Sequence, residues 1–572
     1  MHRILPISVI VTVLFLTLGC AKQGMPSGGP KDVTPPRPLS THPDNRTLNF
    51  ADKSFYIEFD EYVVIKDAEN NIMVSPPMQT KPEYKTRGKG IQVKINDTLQ
   101  SNTTYLFQFK EAIADYNEGN MLPSFEYVFS TGTYIDSMTI KGSVVDAFTM
   151  EPSKEAVSVW LMCPRDGEEF AATWGDSAAK APTIAYATRC NKDGSFSFNH
   201  ITPGEYNIFA IQDEDKNMQL GASESMGFYA GTVNASIMND STENDSTTDK
   251  QIENSSVRLL IFTPRNDKQR ITSSDFTMAG KARITTLLPL QAPHIECDEP
   301  LTWRTNATRD TMTLWTYREK CDSLHIVVND PSGIQDTLKL RWRPKKGKPY
   351  AANTSQTTED KTGMKLKKTD LAYFDTLSLT FKNPLDTTKC RLDSVARIML
   401  IKDSSVTYCG AVIDSSTMSA YLTHKFRQGE KYLVKVLQNR FHDIYGHTND
   451  SSDATINVSK PEDYGNLRLT LQCKLDVTAE TKLIIELLDE KKAAVATRHT
   501  TATENQDVVF QHLTPAKYGV RVTVDSDGNG KWDTGDFAHA RQPERVYYMD
   551  KSLDIRANWD FEETMTLEEE NK

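Results

Sequence analysis

The sequence lacks any sustained apolar stripe at helical spacing, and over 572 residues that absence argues against a helical bundle or a parallel α/β sheet, both of which need amphipathic helices. It also lacks an excess of basic charge. Lys and Arg number 66 against 77 Asp and Glu, a net of −11, and the two signs are intermixed, so no basic face is offered to DNA or RNA. Catalytic signatures are missing as well: there is no G-x-S-x-G, no H-E-x-x-H, no G-x-x-x-x-G-K-[ST] and no G-x-G-x-x-G, which leaves no sequence reason to expect an enzyme. Cysteine is scarce, with eight residues and no C-x-x-C pair.

The N-terminus is where apolar residues do run on. "MHRILPISVIVTVLFLTLGC" places Arg3 before an apolar stretch from Ile4 to Leu18, too short for a span of about 20 residues and suited to the core of an export signal. Leu18-Gly19-Cys20 then resembles the lipobox of bacterial lipoprotein precursors, although Thr17 stands where Leu is commoner. That resemblance implies that residues 1–19 are removed, that Cys20 carries the lipid, and that the acyl chains hold the protein on a membrane; an ordinary secretory signal with an incidental Cys is the other reading. Residues 20–33, rich in Gly and Pro, read as a flexible tether. The pattern "PSGGPKDVTPP" is similar to lipoproteins of Bacteroidetes-type bacteria, which implies the outer membrane and leaves its face open. The other cysteines form sequence neighbours, 163 with 190, 297 with 321 and 390 with 409, with Cys473 left over. Bridges and plain buried thiols are both open to them.

Everywhere else the period is two. "SFYIEFDEYVVI", "GIQVKIND", "TYLFQFK", "TLSLTFK" and "LRLTLQCKLDV" alternate apolar with polar and end at Gly, Asn, Asp or Pro, which predicts an all-β chain of tandem antiparallel β-sandwiches. Two of the modules repeat. "HITPGEYNIFAIQDEDKN" from His200 and "HLTPAKYGVRVTVDSDGN" from His512 share His-(Ile/Leu)-Thr-Pro-x-x-Tyr, a strand and Asp-x-Asp-x-Asn at a displacement of 312 residues. These segments resemble transthyretin-like, or carboxypeptidase-regulatory-like, β-sandwiches over 137–230 and 465–562. A second repeat sets Tyr105 before Asp115 and Tyr432 before Asp443. With "TPPRPLSTHPDN", "FYIEFDEYV" and "FEYVFSTG", it resembles the bacterial Ig-like domain of the S-layer-associated type over 34–133, and in degenerate form over 369–460. Polar segments 231–256 and 343–368 read as linkers or loops, and 257–342 as a sandwich of no assigned family.

One loop has metal-ligand spacing. Counted from Asp525, oxygen donors fall at Asp525, Asp527, Asn529, Asp533 and Asp536, with Lys531 at the position of a backbone carbonyl and Gly530 at the turn, as a calcium loop requires. Against calcium, Asp536 is short for a bidentate ligand and the flanks read as strands; an Asp/Gly turn without an ion satisfies the same residues. A bound calcium would be structural. In the earlier copy Met218 replaces the glycine, so no site is expected there. His442 and His447 occupy a predicted turn and read as solvated rather than as zinc ligands. Trp160, Trp174, Trp532 and Trp559 read first as core and second as sugar-stacking rings. Recurrent Asp-(Ser/Thr)-(small or apolar) triplets, such as Asp240-Ser241-Thr242, resemble the O-glycosylation signal of exported Bacteroidetes proteins. The expectation is a non-enzymatic, lipid-anchored envelope protein that spaces or displays binding modules, with an envelope protein or a glycan as partner; the alternative is a glycan-binding adhesin or uptake component.

Overall fold

The computed structural model describes residues 32–153, 156–163, 184–214, 218, 224–237, 257–264, 268–278, 280–319, 321–342, 362–366, 369–478, 480–537 and 539–569. The signal segment, Cys20 and most of the tether therefore lie outside the described residues, as do Trp174, Asp215, Asn217 and most of the 231–256 and 343–368 segments. Within these limits the chain is all-β, with a one-turn helix at Ala68–Asn71. It divides into two compact units, Met1–Val145 with Glu151–Ile261, and Asp146–Met150 with Phe262–Lys572.

The first unit holds two cores. In the first, the sheet Pro38–His42, Ser54–Phe59, Gly90–Lys94, Glu83–Arg87 faces the sheet Ile72–Ser75, Thr104–Phe109, Phe125–Ser130. The alternation that marks these strands puts Phe55, Phe107, Tyr127 and Phe129 inside, with Phe55 and Tyr127 stacked at 3.9 Å, a contact worth about 1 kcal/mol beyond the area it buries. In the second core, Ser195–Ile201 and Met138–Asp146 pair on one side, and Ile184–Arg189, Ser158–Met162, Glu205–Ile211 and Met226–Phe228 on the other.

Several boundaries expected from sequence are corrected. Val257–Ile261 pairs with Met138–Asp146, and Leu259 and Ile261 are buried in the second core, so this strand closes the second sandwich instead of opening the third. Val233–Asn234 and Ser236–Ile237, expected in a linker, are short strands of the same module. Likewise Thr362 is buried, Met364 enters the fourth core and Lys365–Leu366 pairs with Ser378–Thr380, so that module starts before 369. The last strand, Asp560–Leu567, runs past 562 with Met565 and Leu567 in the core. A polar stretch conceals a strand when only its inward residues are apolar.

The second unit holds three cores. One lies between Ile271–Met278, Lys281–Thr286, Thr311–Thr316, Leu301–Thr305 and His294–Cys297, Ser323–Asp330, Ile334–Arg341. The next is built on Ala396–Leu400, Lys431–Val436 and Ser452–Val458. The last sets Gly465–Cys473, between Asn505–Leu513 and Asp560–Leu567, against Ala494–Thr501, Lys482–Leu488, Ala516–Asp525 and Val546–Tyr548.

Both sequence repeats have a structural counterpart. His200 and His512 share a left-handed φ of 58°, after which Tyr206 and Tyr518 each donate a hydroxyl hydrogen bond of 2.8 Å to the carbonyl four residues back, Thr202 or Thr514. Tyr105 and Tyr432 instead accept, from the N–H five residues back, at 2.9 and 3.0 Å. Removing only the hydroxyl, as in Tyr518→Phe, should cost about 1 kcal/mol, read as a lower urea midpoint at unchanged slope; an unchanged midpoint would show that the bond adds nothing net. All seven described cysteines are free thiols.

Candidate metal centre

The strand Ala516–Asp525 ends in the core, and its last side chain, Asp525, is buried. Val520, Val522 and Val524 line the apolar core, so alternation puts Asp525 on the opposite face with Arg521 and Thr523, where all three are buried polar residues. Gly528 and Gly530, at φ 73° and 79°, make the turn in a region that side chains with a Cβ resist. The Asp525 carboxylate caps it, accepting the N–H of Asn529 at 3.0 Å and of Gly530 at 2.9 Å. Asp527 accepts from Asn529 N–H at 3.0 Å, and Asn529 Oδ1 in turn accepts from Lys531 N–H at 2.8 Å. The Asn529 amide also donates to Asp533.

Asp536 does not join this group. Its N–H bonds the Arg541 carbonyl at 2.8 Å and its carboxylate holds His539 Nδ1 at 2.6 Å, which turns it to a separate small loop. The third carboxylate comes from a residue the spacing did not single out. Glu544, buried, accepts Ser526 N–H at 2.6 Å and Asp533 N–H at 3.0 Å. It arrives because Val546–Tyr548 pairs with Ala516–Asp525, Val546 opposite Thr523. One carboxylate oxygen each from Asp525, Asp527 and Glu544 lie within 4.8 Å of one another. A local motif could not reveal this carboxylate, since strand pairing supplies it; the acid two residues before the strand Val546–Tyr548 was the available signal.

The electrostatics show how crowded the group is. Burial pushes the Glu544 carboxyl above the ordinary range, with the charges of Asp525 and Asp533 adding to it against the two N–H donors. Desolvation acts upward on Asp527 also, but the Asn529 N–H and its neighbours outweigh it and keep that carboxyl below the ordinary range. Oxygen donors on a glycine-permitted turn, with two of three carboxylates buried, are the ligand set of a hard divalent cation. The same N–H bonds serve an ion-free turn.

The remaining sequence candidates separate clearly. His447 Nδ1 lies 3.1 Å from Asp443 Oδ2, and the buried Asp443 also accepts the N–H of Tyr445 and His447 and the amide of Asn383. It organises a turn, as Asp115 does with the N–H groups of Glu118, Gly119 and Asn120. Trp160 is core. Trp532 is half-buried and donates its indole N–H to the Glu544 carbonyl at 2.9 Å, tying the acidic loop to its third carboxylate. Trp559, first read as core, is 60% exposed.

No curated protein is significantly similar in sequence. Among solved structures, the N-terminal part of the bacterial S-layer protein SbsC is 14% identical over 34% of this chain, with a TM-score of 0.16; the match spans only 43% of that structure. The major pilin subunit of Bacillus cereus, BcpA, is 8% identical over 75% of this chain and 98% of its own, with a TM-score of 0.13. Superpositions with TM-scores this low bear on neither fold nor role. The first sandwich is placed by sequence: residues 32–131 match the bacterial Ig-like domain family.

Proposed function

We propose that this chain is a non-enzymatic spacer and display protein of the bacterial cell envelope, held at the outer membrane by lipid on Cys20. The observation that carries the reading is that, within each unit, ordered contacts join neighbouring sandwiches. In the first unit, Arg189 donates to the Asn70 carbonyl at 2.7 Å, Lys192 pairs with Glu111 at 3.0 Å, and Ala187 N–H reaches Ser75 Oγ at 3.2 Å. Ile184–Arg189 is thereby fastened to the Ig-like module, which stiffens this part of the chain. In the second unit, Tyr445 donates to the Gly280 carbonyl at 2.9 Å, and Phe374 stacks on His512 at 4.3 Å. Locked joints suit a protein whose task is to hold modules at a fixed reach from a surface. On the same reading the Asp525, Asp527 and Glu544 cluster holds a structural calcium that stiffens the last module.

Expressed in its host with a labelled fatty acid, the chain should take up label, and Cys20→Ser should abolish labelling and move the protein from the membrane to the soluble fraction. Retention of the variant in the membrane would overturn the anchor. Protease added to intact cells then reads the face: digestion places the modules outside, protection places them in the periplasm. Turnover of a substrate by the purified chain would overturn the non-enzymatic reading.

A further inference from the structure

We infer that the turn between Leu553–Ile555 and Asp560–Leu567 carries a saccharide-binding platform built on Trp559. A large aromatic side chain left 60% exposed is the informative kind of exception, because burial would have taken its large apolar surface out of water and stabilised the fold. The ring is held out by its backbone. Asn558 takes a left-handed φ of 57° and donates its N–H to the Tyr464 carbonyl at 2.8 Å, while the Trp559 carbonyl accepts from Asn466 N–H at 3.0 Å. The Asn466 amide then holds Asp560 at 2.7 Å. The indole is thus presented on a pinned turn, which reduces the ordering cost of binding.

Beside the ring lies a groove of about 410 Å³, within the range of small-ligand sites. Phe561 contributes to its lining, its ring 6.1 Å from that of Trp559 and inclined at 32°. The rim is polar and orderly: Lys551 pairs with Glu563 at 2.7 Å and Arg556 with Asp554 at 3.2 Å. The groove therefore offers one flat apolar face ringed by donors and acceptors. That is the complement of a pyranose, whose axial C–H bonds make one apolar face and whose hydroxyls project around its edge.

Two further observations narrow the class. A protein partner would bury a wider apolar patch, yet the other large hydrophobic side chains exposed in this sandwich, among the described residues, are Val495 and Val509, and neither lines the groove. An acidic sugar is disfavoured, because Glu562 brings the lining to three carboxylates against two cations. The ligand class is a neutral oligosaccharide. This inference stands on the exposed ring and its groove, and does not need the lipid anchor or the calcium.

The test is a titration of the full chain in detergent with cellohexaose, maltoheptaose, mannohexaose and chitohexaose, with oligogalacturonate for contrast, followed by tryptophan fluorescence and calorimetry. At least one neutral oligosaccharide should bind saturably. Trp559→Ala should weaken that binding at least tenfold without changing the melting temperature, and Trp559→Tyr should retain part of it. Absence of neutral-sugar binding, equal binding by Trp559→Ala, binding of the acidic sugar alone, or a groove that takes only a protein would each overturn the proposal.

Discussion

Replacing Arg521 by methionine should cost the C-terminal sandwich about 3 kcal/mol, the largest single-residue effect expected outside the apolar cores. Arg521 sits mid-strand with its side chain 10% exposed, and Nε bonds Glu486 Oε2 at 2.7 Å, with the Glu486 side chain 17% exposed. Burial works against the guanidinium charge, but the bonds to Glu486 and Tyr548 outweigh it and raise its pKa above the ordinary value. Phe148 covers the plane with its ring centre at 4.3 Å. Methionine fills much of the volume and leaves Glu486 desolvated without a counter-charge, which is what makes the loss large. For a domain of this size the loss lowers the melting temperature by roughly 4–8 °C per kcal/mol. Arg521→Met with Glu486→Leu should recover most of it, because the stranded carboxylate is gone. If the double variant is no more stable than the single one, the cost lies in the lost contact with Phe148 and not in the ion pair.

The parts legible in the sequence are those set by local rules. Alternation names strands because a side chain and its second neighbour share a face, and the His-x-Thr-Pro-x-x-Tyr and Tyr-to-Asp segments showed themselves as repeats because each closes a bond with itself, Tyr518 to Thr514 and Asp115 to the next turn. What stayed hidden depends on pairing across distance. Nothing local assigns Val257–Ile261 to the sheet of Met138–Asp146 more than a hundred residues earlier, with a polar insert between. Glu544 reaches the acidic loop through the pairing of Val546 with Thr523. For Trp559, alternation distinguishes two faces of a strand but cannot tell that a turn lifts one ring clear of both.

Calcium should raise the stability of the last sandwich and leave the others unmoved. At a calcium concentration 100 times the dissociation constant, binding to the folded state alone contributes about 2.7 kcal/mol, an upward shift of the last module's melting transition that EGTA reverses. Glu544→Gln should abolish the shift, whereas Asp536→Asn should leave it, since Asp536 is engaged with His539. Magnesium should do little, because its smaller shell demands near-octahedral ligands and releases water reluctantly. The ion-free protein adds a second readout. The folded-state pKa of Glu544 lies above its ordinary value, so between those two values the folded state binds more protons than the unfolded one. Its contribution to stability must therefore rise as pH falls through that window. A bound cation favours the ionised carboxylate and so reverses the sign: acidification through that window adds the Glu544 contribution in EGTA, whereas in calcium it displaces the ion and removes the stabilisation the ion gives. Equal melting in calcium and EGTA at neutral pH would show that the loop is an Asp/Gly turn that needs no ion, its three carboxylates held by backbone N–H groups alone.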